Sequence, residues 1–206
     1  MTFRVALIGY GYWGPKLARN INNSNIFQID YIIDNSKKNL DKANKDFPLS
    51  KSLKNYNSLK KDDIDLVVIS SPTKTHYKIA KHFLDFSHVL VEKPLSLNSK
   101  DIIDLERKAK INNKLLFVDY PFLFSGSINF IKTIIKKKKY GKLLEIESFR
   151  EQAPIRLDAD VVWDLGVHDI SILKHWLNQN PIKIKSIKYN TVKTLKKDTA
   201  YINLEY

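Results

Sequence analysis

Three clusters in this sequence carry side chains suited to chemistry. The first is Gly9-Tyr10-Gly11-Tyr12-Trp13-Gly14, which follows an apolar run and opens a helical pattern. In such a turn Gly9 permits the tight bend and Gly11 lets the backbone approach a diphosphate. Gly14 lets the helix pack close to its strand, so that the free N–H groups point at an anion. Asp34 closes the second apolar run, 20 residues beyond Gly14, where a carboxylate can accept hydrogen bonds from ribose hydroxyls and repel a 2′-phosphate. The spacing therefore predicts NAD in preference to NADP, although Lys37 and Lys38 could swing toward a 2′-phosphate. Taken one by one, the glycines are a strand-to-helix turn and Asp34 a cap for the helix that follows, which leaves their spacing unexplained. Tyr12 and Trp13 suit aromatic cover or stacking on a ligand.

The second cluster joins Ser71-Pro72-Thr73-Lys74-Thr75-His76, at the end of the third strand, to Glu92-Lys93-Pro94, at the end of the fourth. In an open α/β sheet ligands bind outside the carboxyl ends of the strands, so Ser71, Thr73, His76 and Glu92 would border the cofactor. Thr73 is equally suited to cap a helix. Lys93 can hydrogen-bond a substrate oxygen and stabilise charge developing there, and the following proline restricts its backbone to extended geometry. A surface Glu-Lys pair is the other reading of the same residues.

The third cluster is Asp164-Leu165-Gly166-Val167-His168-Asp169. On a helix, Asp164 and His168 share a face, so the carboxylate can orient the imidazole or a common substrate, and His168 can take a proton near neutral pH. Leu165, Ile172 and Trp176 lie on the same stripe, and the pattern alone favours an ordinary buried histidine. A metal reading of Asp164, His168 and Asp169 is weaker still, because no further His or Cys supports it. A serine hydrolase is excluded by the lack of a Gly-x-Ser-x-Gly elbow.

The elements that must position these groups follow from hydrophobic runs and turn signals. Strands are predicted at Phe3 to Ile8, Gln28 to Ile33, Leu66 to Ser70, His88 to Val91 and Leu115 to Asp119. Helices are predicted at Pro15 to Asn22, Ser36 to Asp46, Lys74 to Phe86 and Ser99 to Asn112. Strands alternating with helices define an α/β fold with a doubly wound parallel sheet over residues 1–120. From 121 to 206 the grammar changes. Lys142 to Glu151, Ile182 to Val192 and Thr199 to Tyr206 read as strands of an open, largely antiparallel sheet in a second α+β domain. A helix carrying Ile128, Ile131 and Ile135 is predicted to end in Lys136 to Lys139, with Gly141 as its stop. The chain ends inside a strand pattern, which predicts a small sheet whose edge is short of partners or covered by an oligomeric one.

The 206 residues carry 35 Lys+Arg against 22 Asp+Glu, a net charge of +13, and no Cys. Disulfides and thiolate metal sites are excluded, and a reducing, cytoplasmic address fits. The positive charge invites a nucleic-acid reading, but only five of the 35 cations are Arg and they are scattered, which argues against base and phosphate readout. No apolar stretch approaches membrane-spanning length.

In combination, the glycine turn, Ser71-Pro72-Thr73 with His76, Glu92-Lys93-Pro94, and Asp164-Leu165-Gly166-Val167-His168 resemble the Gfo/Idh/MocA family of oxidoreductases, in the family's own order. The resemblance runs from Gly9 to about Asp169. It implies an N-terminal Rossmann domain, a C-terminal domain whose sheet often builds the oligomer interface, and reversible hydride transfer at a sugar or cyclitol hydroxyl. Carried over, Lys93 is the substrate-oxygen contact, Asp164 a substrate-orienting carboxylate and His168 the acid/base, which reverses the bland reading of both Lys93 and His168. The turn and Trp163-Asp164-Leu165-Gly166 are most similar to members acting on nucleotide-linked sugars. Two departures bear on substrate identity: Pro121-Phe122-Leu123-Phe124 lacks the Arg or Asn common there, and Asp158-Ala159-Asp160 replaces a glycine pair. The chain is also short for the family. The expected function is thus an NAD-dependent sugar or nucleotide-sugar oxidoreductase, homo-oligomeric, with neither nucleic-acid nor membrane partner. The alternative is a dinucleotide-binding protein or partner subunit without catalysis.

Overall fold

The computed structural model describes residues 2–153, 159–192 and 197–206, so Asp158 lies outside the described residues. Two compact units make up the chain, Met1–Asp119 and Tyr120–Tyr206.

The first unit alternates β1 (Phe3–Ile8), α1 (Gly14–Asn22), β2 (Phe27–Ile33), α2 (Lys37–Asp46), β3 (Lys51–Leu53), β4 (Leu66–Ile69), α3 (Thr73–Phe83), β5 (His88–Glu92), α4 (Ser99–Ile111) and β6 (Leu116–Asp119). Its six strands pair in the order β3-β2-β1-β4-β5-β6, all parallel. Strand order reverses between β1 and β4, which opens a crevice at their carboxyl ends.

Strand periodicity explains why both faces are apolar. Along β1, Val5 and Leu7 point to the side where Ala18 of α1 and Ala43 of α2 pack, together with Ile29 and Ile32. Ala6 and Ile8 point to the other side, against Ile79, Ala80 and Phe83 of α3 and Leu105 and Ala109 of α4. A sheet covered on both faces needs continuous apolar runs, and each large side chain so buried contributes about 1.5–3 kcal/mol. The starts of α2 and α4 are set by short polar caps: Ser36 Oγ accepts from the Asn39 N–H and Asn98 Oδ1 from the Lys100 N–H. In α4, Asp101 lies in the first turn and Lys108 and Lys110 in the last, as the helix dipole favours. The short edge strand β3 has no apolar run to betray it. It pairs with β2, Tyr31 to Lys51 and Ile33 to Leu53, and Leu53 packs against the core.

The second unit contains a one-turn 3₁₀ helix (Pro121–Phe124), α5 (Gly126–Lys137), a π-helical turn (Val162–Gly166) running into α6 (Val167–Leu177), and the strands β7 (Lys183–Tyr189) and β8 (Thr199–Glu205). β7 and β8 form an antiparallel pair, with Lys183 opposite Glu205 and Ile187 opposite Tyr201. α5 and α6 are joined through Trp176, whose Nε1–H donates to the Ile128 carbonyl at 2.9 Å, and through His175, between Asn129 Oδ1 at 3.0 Å and Lys132 Nζ at 3.3 Å.

Two expectations change here. The strand expected over Lys142 to Glu151 is not one: the segment lies outside regular structure, because no described residue offers it a partner ladder, and alternation alone does not make a strand. The helix expected to stop at Gly141 ends instead at Lys138, which adopts the left-handed conformation with φ 48°. Gly141, with φ 97°, belongs to the following turn.

Candidate functional site

The glycine turn sits at the carboxyl end of β1, beside the crevice. Gly9 has φ +98°, and a Cβ there would lie 2.6 Å from the Ser71 nitrogen. A Cβ on Gly14 would lie 2.2 Å from the Gly9 carbonyl oxygen. These two glycines are demanded by the fold itself. Gly11 is different: a Cβ there would meet nothing within 4 Å. The protein's own packing leaves that position open, and a glycine with open space at the mouth of a strand-to-helix turn fits the close approach of a diphosphate.

Asp34 is tied to this turn. Its Oδ2 accepts the Tyr10 N–H at 2.7 Å and the Asn39 side-chain amide at 3.1 Å, while Oδ1 accepts the Ser36 N–H at 2.8 Å. The residue thus both steadies the glycine turn and organises the start of α2. Tyr10 is buried, and its hydroxyl donates to Asp46 Oδ2 at 2.8 Å. Burial together with Asp46 pushes the phenol well above its ordinary value, so it stays protonated. Tyr12 and Trp13 are exposed and pack edge to face at 5.3 Å. The Lys16 ammonium lies 3.8 Å from the Tyr12 ring centre and 4.1 Å from that of Trp13, a cation–π arrangement on the first turn of α1.

At the ends of β4 and β5 the two predicted loops come together. Ser70 Oγ donates to the Gly9 carbonyl at 2.7 Å, and Ser71 Oγ and Thr75 Oγ1 are 2.7 Å apart. Thr73 is buried as the first residue of α3. It is not the cap, a place taken by Pro72 without a side-chain hydrogen bond. His76, expected to border the cofactor, is 1% exposed and has both ring nitrogens against backbone carbonyls: Nδ1 is 2.9 Å from Pro94 O and Nε2 2.7 Å from Ser71 O. With both nitrogens turned into the protein, it is not placed to bond a cofactor. Lys93 follows β5 directly, the Lys93–Pro94 peptide is cis, and Glu92 is the last residue of the strand, opposite Asp119 on β6. Burial pushes the Asp119 carboxyl upward.

In the second unit, Asp164 lies in the π-helical turn and His168 in the first turn of α6. Both are buried, at 7% exposure. A π-helical insertion within a helix often marks a functional site. The Phe122 ring meets the His168 ring edge to face at 4.9 Å, and the Arg150 guanidinium lies 4.7 Å from the centre of the same phenyl ring. Arg150 in turn grips Asp169 through two hydrogen bonds, Nε to Oδ2 at 2.8 Å and Nη2 to Oδ1 at 3.1 Å, and Ser148 Oγ donates to Oδ1 at 2.8 Å. Arg150 and Ser148 hold the Asp169 carboxyl below its usual range despite the burial that opposes them. Asp169 is therefore half of an ion pair, which leaves it unsuited to the metal set considered above. The sequence placed no cation near Phe122; Arg150 supplies one from a distant segment. Lys93 belongs to the first unit, and Asp164 and His168 to the second.

A six-stranded parallel sheet with a glycine turn at its switch point, an acid closing β2 and open space at the middle glycine defines a dinucleotide-binding Rossmann unit. Residues 3–120 match the family described as the Gfo/Idh/MocA oxidoreductase family, NAD-binding Rossmann fold. The chain belongs to that family. It is 26% identical over 185 residues to myo-inositol 2-dehydrogenase of Thermotoga maritima, covering 85% of this chain and 55% of that protein. It is also 26% identical over 128 residues to UDP-N-acetylglucosamine 3-dehydrogenase of Acidithiobacillus ferrooxidans, covering 61% of this chain and 40% of that one. The chain thus spans about half the length of these curated relatives. Among solved structures, GenD2 from gentamicin A biosynthesis in complex with NAD superposes with a TM-score of 0.89 at 19% identity, over 100% of this chain and 62% of that one, a likeness of fold. Among the described residues no helix is long and apolar enough to cross a membrane.

Proposed function

We propose that the chain is an NAD-dependent oxidoreductase acting on a hydroxyl-bearing carbon of a sugar or nucleotide sugar, with the first unit binding the cofactor and the second the substrate. The observation that carries the reading is the open position at Gly11, flanked by two glycines the fold requires for itself. NAD bound there would supply the hydride acceptor. Gly11 leaves room for the diphosphate, the backbone amides of the turn up to Gly14 would face it, since Pro15 has no N–H and the Lys16 and Leu17 amides donate to the Trp13 carbonyl, and Asp34 accepts a ribose hydroxyl while disfavouring a 2′-phosphate. Lys93 donates to the substrate oxygen and stabilises its charge, Asp164 orients the substrate, and His168 takes the hydroxyl proton. The names of the relatives, an inositol dehydrogenase and a nucleotide-sugar dehydrogenase, support the substrate class. A homo-oligomer formed through the C-terminal sheet is part of the same reading, and exposed Ile187 and Tyr201, paired across β7 and β8, offer it apolar surface.

The test is hydride transfer followed at the nicotinamide absorbance across a panel of sugars, cyclitols and nucleotide sugars, after NADH binding has been shown by fluorescence. His168→Asn is expected to lower turnover by about 100-fold to 10,000-fold while NADH still binds. Unchanged turnover in that variant removes His168 from its role. NADH binding by the wild type without turnover on any member of the panel would favour the non-catalytic alternative.

A further inference from the structure

We propose that His76 is a positioning residue for Lys93: its imidazole braces the turns after β4 and β5 against each other and so sets the direction in which the Lys93 ammonium is presented. The inference rests on the oxidoreductase reading and adds a residue to it.

The ring is buried, and its two nitrogens reach the carbonyls of Ser71 and Pro94 at 2.7 and 2.9 Å. β4 and β5 are neighbouring parallel strands, paired from Leu66 opposite His88 to Ile69 opposite Val91. Beyond those pairs the ladder stops, and the turns need other partners. The turn after β4 is stiffened from within, because the Thr75 N–H and hydroxyl both donate to the Pro72 carbonyl, at 2.8 and 2.7 Å. Ser71 is therefore a firm anchor for one side of the ring.

On the other side, Pro94 has no N–H, so its carbonyl is the one backbone polar group it offers. Pro94, Leu95 and Ser96 are buried. Ser96 Oγ donates to Asp101 Oδ2 at 2.7 Å and accepts the Asn98 N–H at 3.1 Å, which fastens this segment to the start of α4. Lys93 is thus the residue between a strand that ends at Glu92 and a segment clamped by α4 and His76. Removing the imidazole leaves the buried Pro94 carbonyl without that donor, and a buried carbonyl moves to recover one. Lys93, one residue upstream, moves with it. The cofactor turn at Gly9 to Gly14 has its own ties to Asp34 and Ser70.

A carbonyl only accepts, so both contacts are hydrogen bonds when both ring nitrogens carry a proton, whereas a neutral ring donates to one carbonyl alone; His76→Gln and His76→Asn separate the two. A glutamine amide nitrogen falls near the Nε2 position and keeps the donor to Ser71, whereas an asparagine amide nitrogen falls near Nδ1 and keeps the donor to Pro94. In each variant and the wild type, NADH affinity, kcat and KM are measured, together with the acetylation rate of Lys93 relative to exposed Lys100, read by mass spectrometry. The expected result is a kcat about 100-fold lower in His76→Gln, a changed Lys93 acetylation ratio, unchanged NADH affinity, and recovery of both readouts in His76→Asn. An acetylation ratio identical in all three proteins would overturn the proposal, as would a loss of NADH affinity that parallels the loss of kcat. If the wild type transfers no hydride, the oxidoreductase reading fails, while the acetylation ratio still decides whether His76 positions Lys93.

Discussion

The three glycines of the first turn make different predictions for the same small substitution. In Gly9→Ala the new methyl group must occupy a backbone with φ +98° and sit 2.6 Å from the Ser71 nitrogen. The left-handed conformation alone costs about 1–2 kcal/mol, and forcing backbone atoms apart adds about 1–3 kcal/mol. Gly14→Ala places a carbon 2.2 Å from the Gly9 oxygen, closer than any relaxed contact, and should cost at least as much. A loss of about 3 kcal/mol corresponds to a fall in Tm on the order of 10 °C. Gly11→Ala meets nothing within 4 Å. Its φ lies outside the left-handed range, so the substitution should be neutral or stabilise by about 0.4–1 kcal/mol through the unfolded chain. In the proposed complex the same methyl group projects into the diphosphate. Ten-fold weaker NADH binding, about 1.4 kcal/mol, is the least expected, with Gly11→Val weaker still. Thermal melting and NADH fluorescence titration of the three variants check this. If Gly11→Val binds NADH as tightly as the wild type at an unchanged Tm, the diphosphate does not lie there and the cofactor assignment fails.

The remaining predictions concern the second unit. Arg150→Met should leave the half-buried Asp169 carboxylate with Ser148 as its hydrogen-bond donor among the described residues and cost about 2 kcal/mol, below the 3–5 kcal/mol of a fully buried pair because both partners retain some exposure, measurable by urea unfolding. The depressed Asp169 carboxyl contributes stability that is present above its ordinary value near 3.8 and is lost as pH falls through its lowered one; in Arg150→Met this acid loss should shrink. Burial, with Lys132 beside it, lowers the His175 imidazole from 6.5. Its contribution is therefore complete above pH 6.5 and lost on acidification, because the unfolded chain binds the proton more readily. Melting curves at pH 7.5 and 5 should show a smaller difference in His175→Gln than in the wild type.

What the sequence revealed followed its physical redundancy. The first unit is covered on both faces, so its strands read as unbroken apolar runs, and β1 was legible to the residue. β3 was not, because Lys51-Ser52-Leu53 is a three-residue edge strand with one apolar side chain on the core, too short to carry a pattern. The glycine spacing and Asp34 were legible because a strand, a turn and a helix start must coincide there. Sequence spacing puts His76 near the crevice, and only the fold shows its two nitrogens against the carbonyls of Pro94 and Ser71. In the second unit the Arg150–Asp169 pair joins residues 19 apart through an irregular segment, where no periodicity exists to bring them to mind. The strand expected at Lys142 to Glu151 failed for the complementary reason, since a strand is a property of a pair.

Asp34 is where the needs of the fold and of the ligand meet, and the hydrogen-bond inventory makes that meeting quantitative. A carboxylate offers about four acceptor sites. Among the described residues three are taken, by the Tyr10 N–H, the Ser36 N–H and the Asn39 amide, so one ribose hydroxyl can be accepted with no bond broken, and a second only by displacing a donor. Tyr10 and Ser36 donate from the backbone, and losing them would disturb the glycine turn and the start of α2. Asn39 donates through its side chain at 3.1 Å, the longest of the three, and is the donor a ligand would displace. Asn39→Ala should therefore release an acceptor site, tighten NADH binding several-fold, about 1 kcal/mol for one hydrogen bond, and leave NADPH discrimination in place because the negative charge remains. Paired titrations with NADH and NADPH read both quantities. Weaker NADH binding in Asn39→Ala would mean that the amide holds the carboxylate in its binding orientation, so that Asp34 serves the ligand only while all three of its donors are in place.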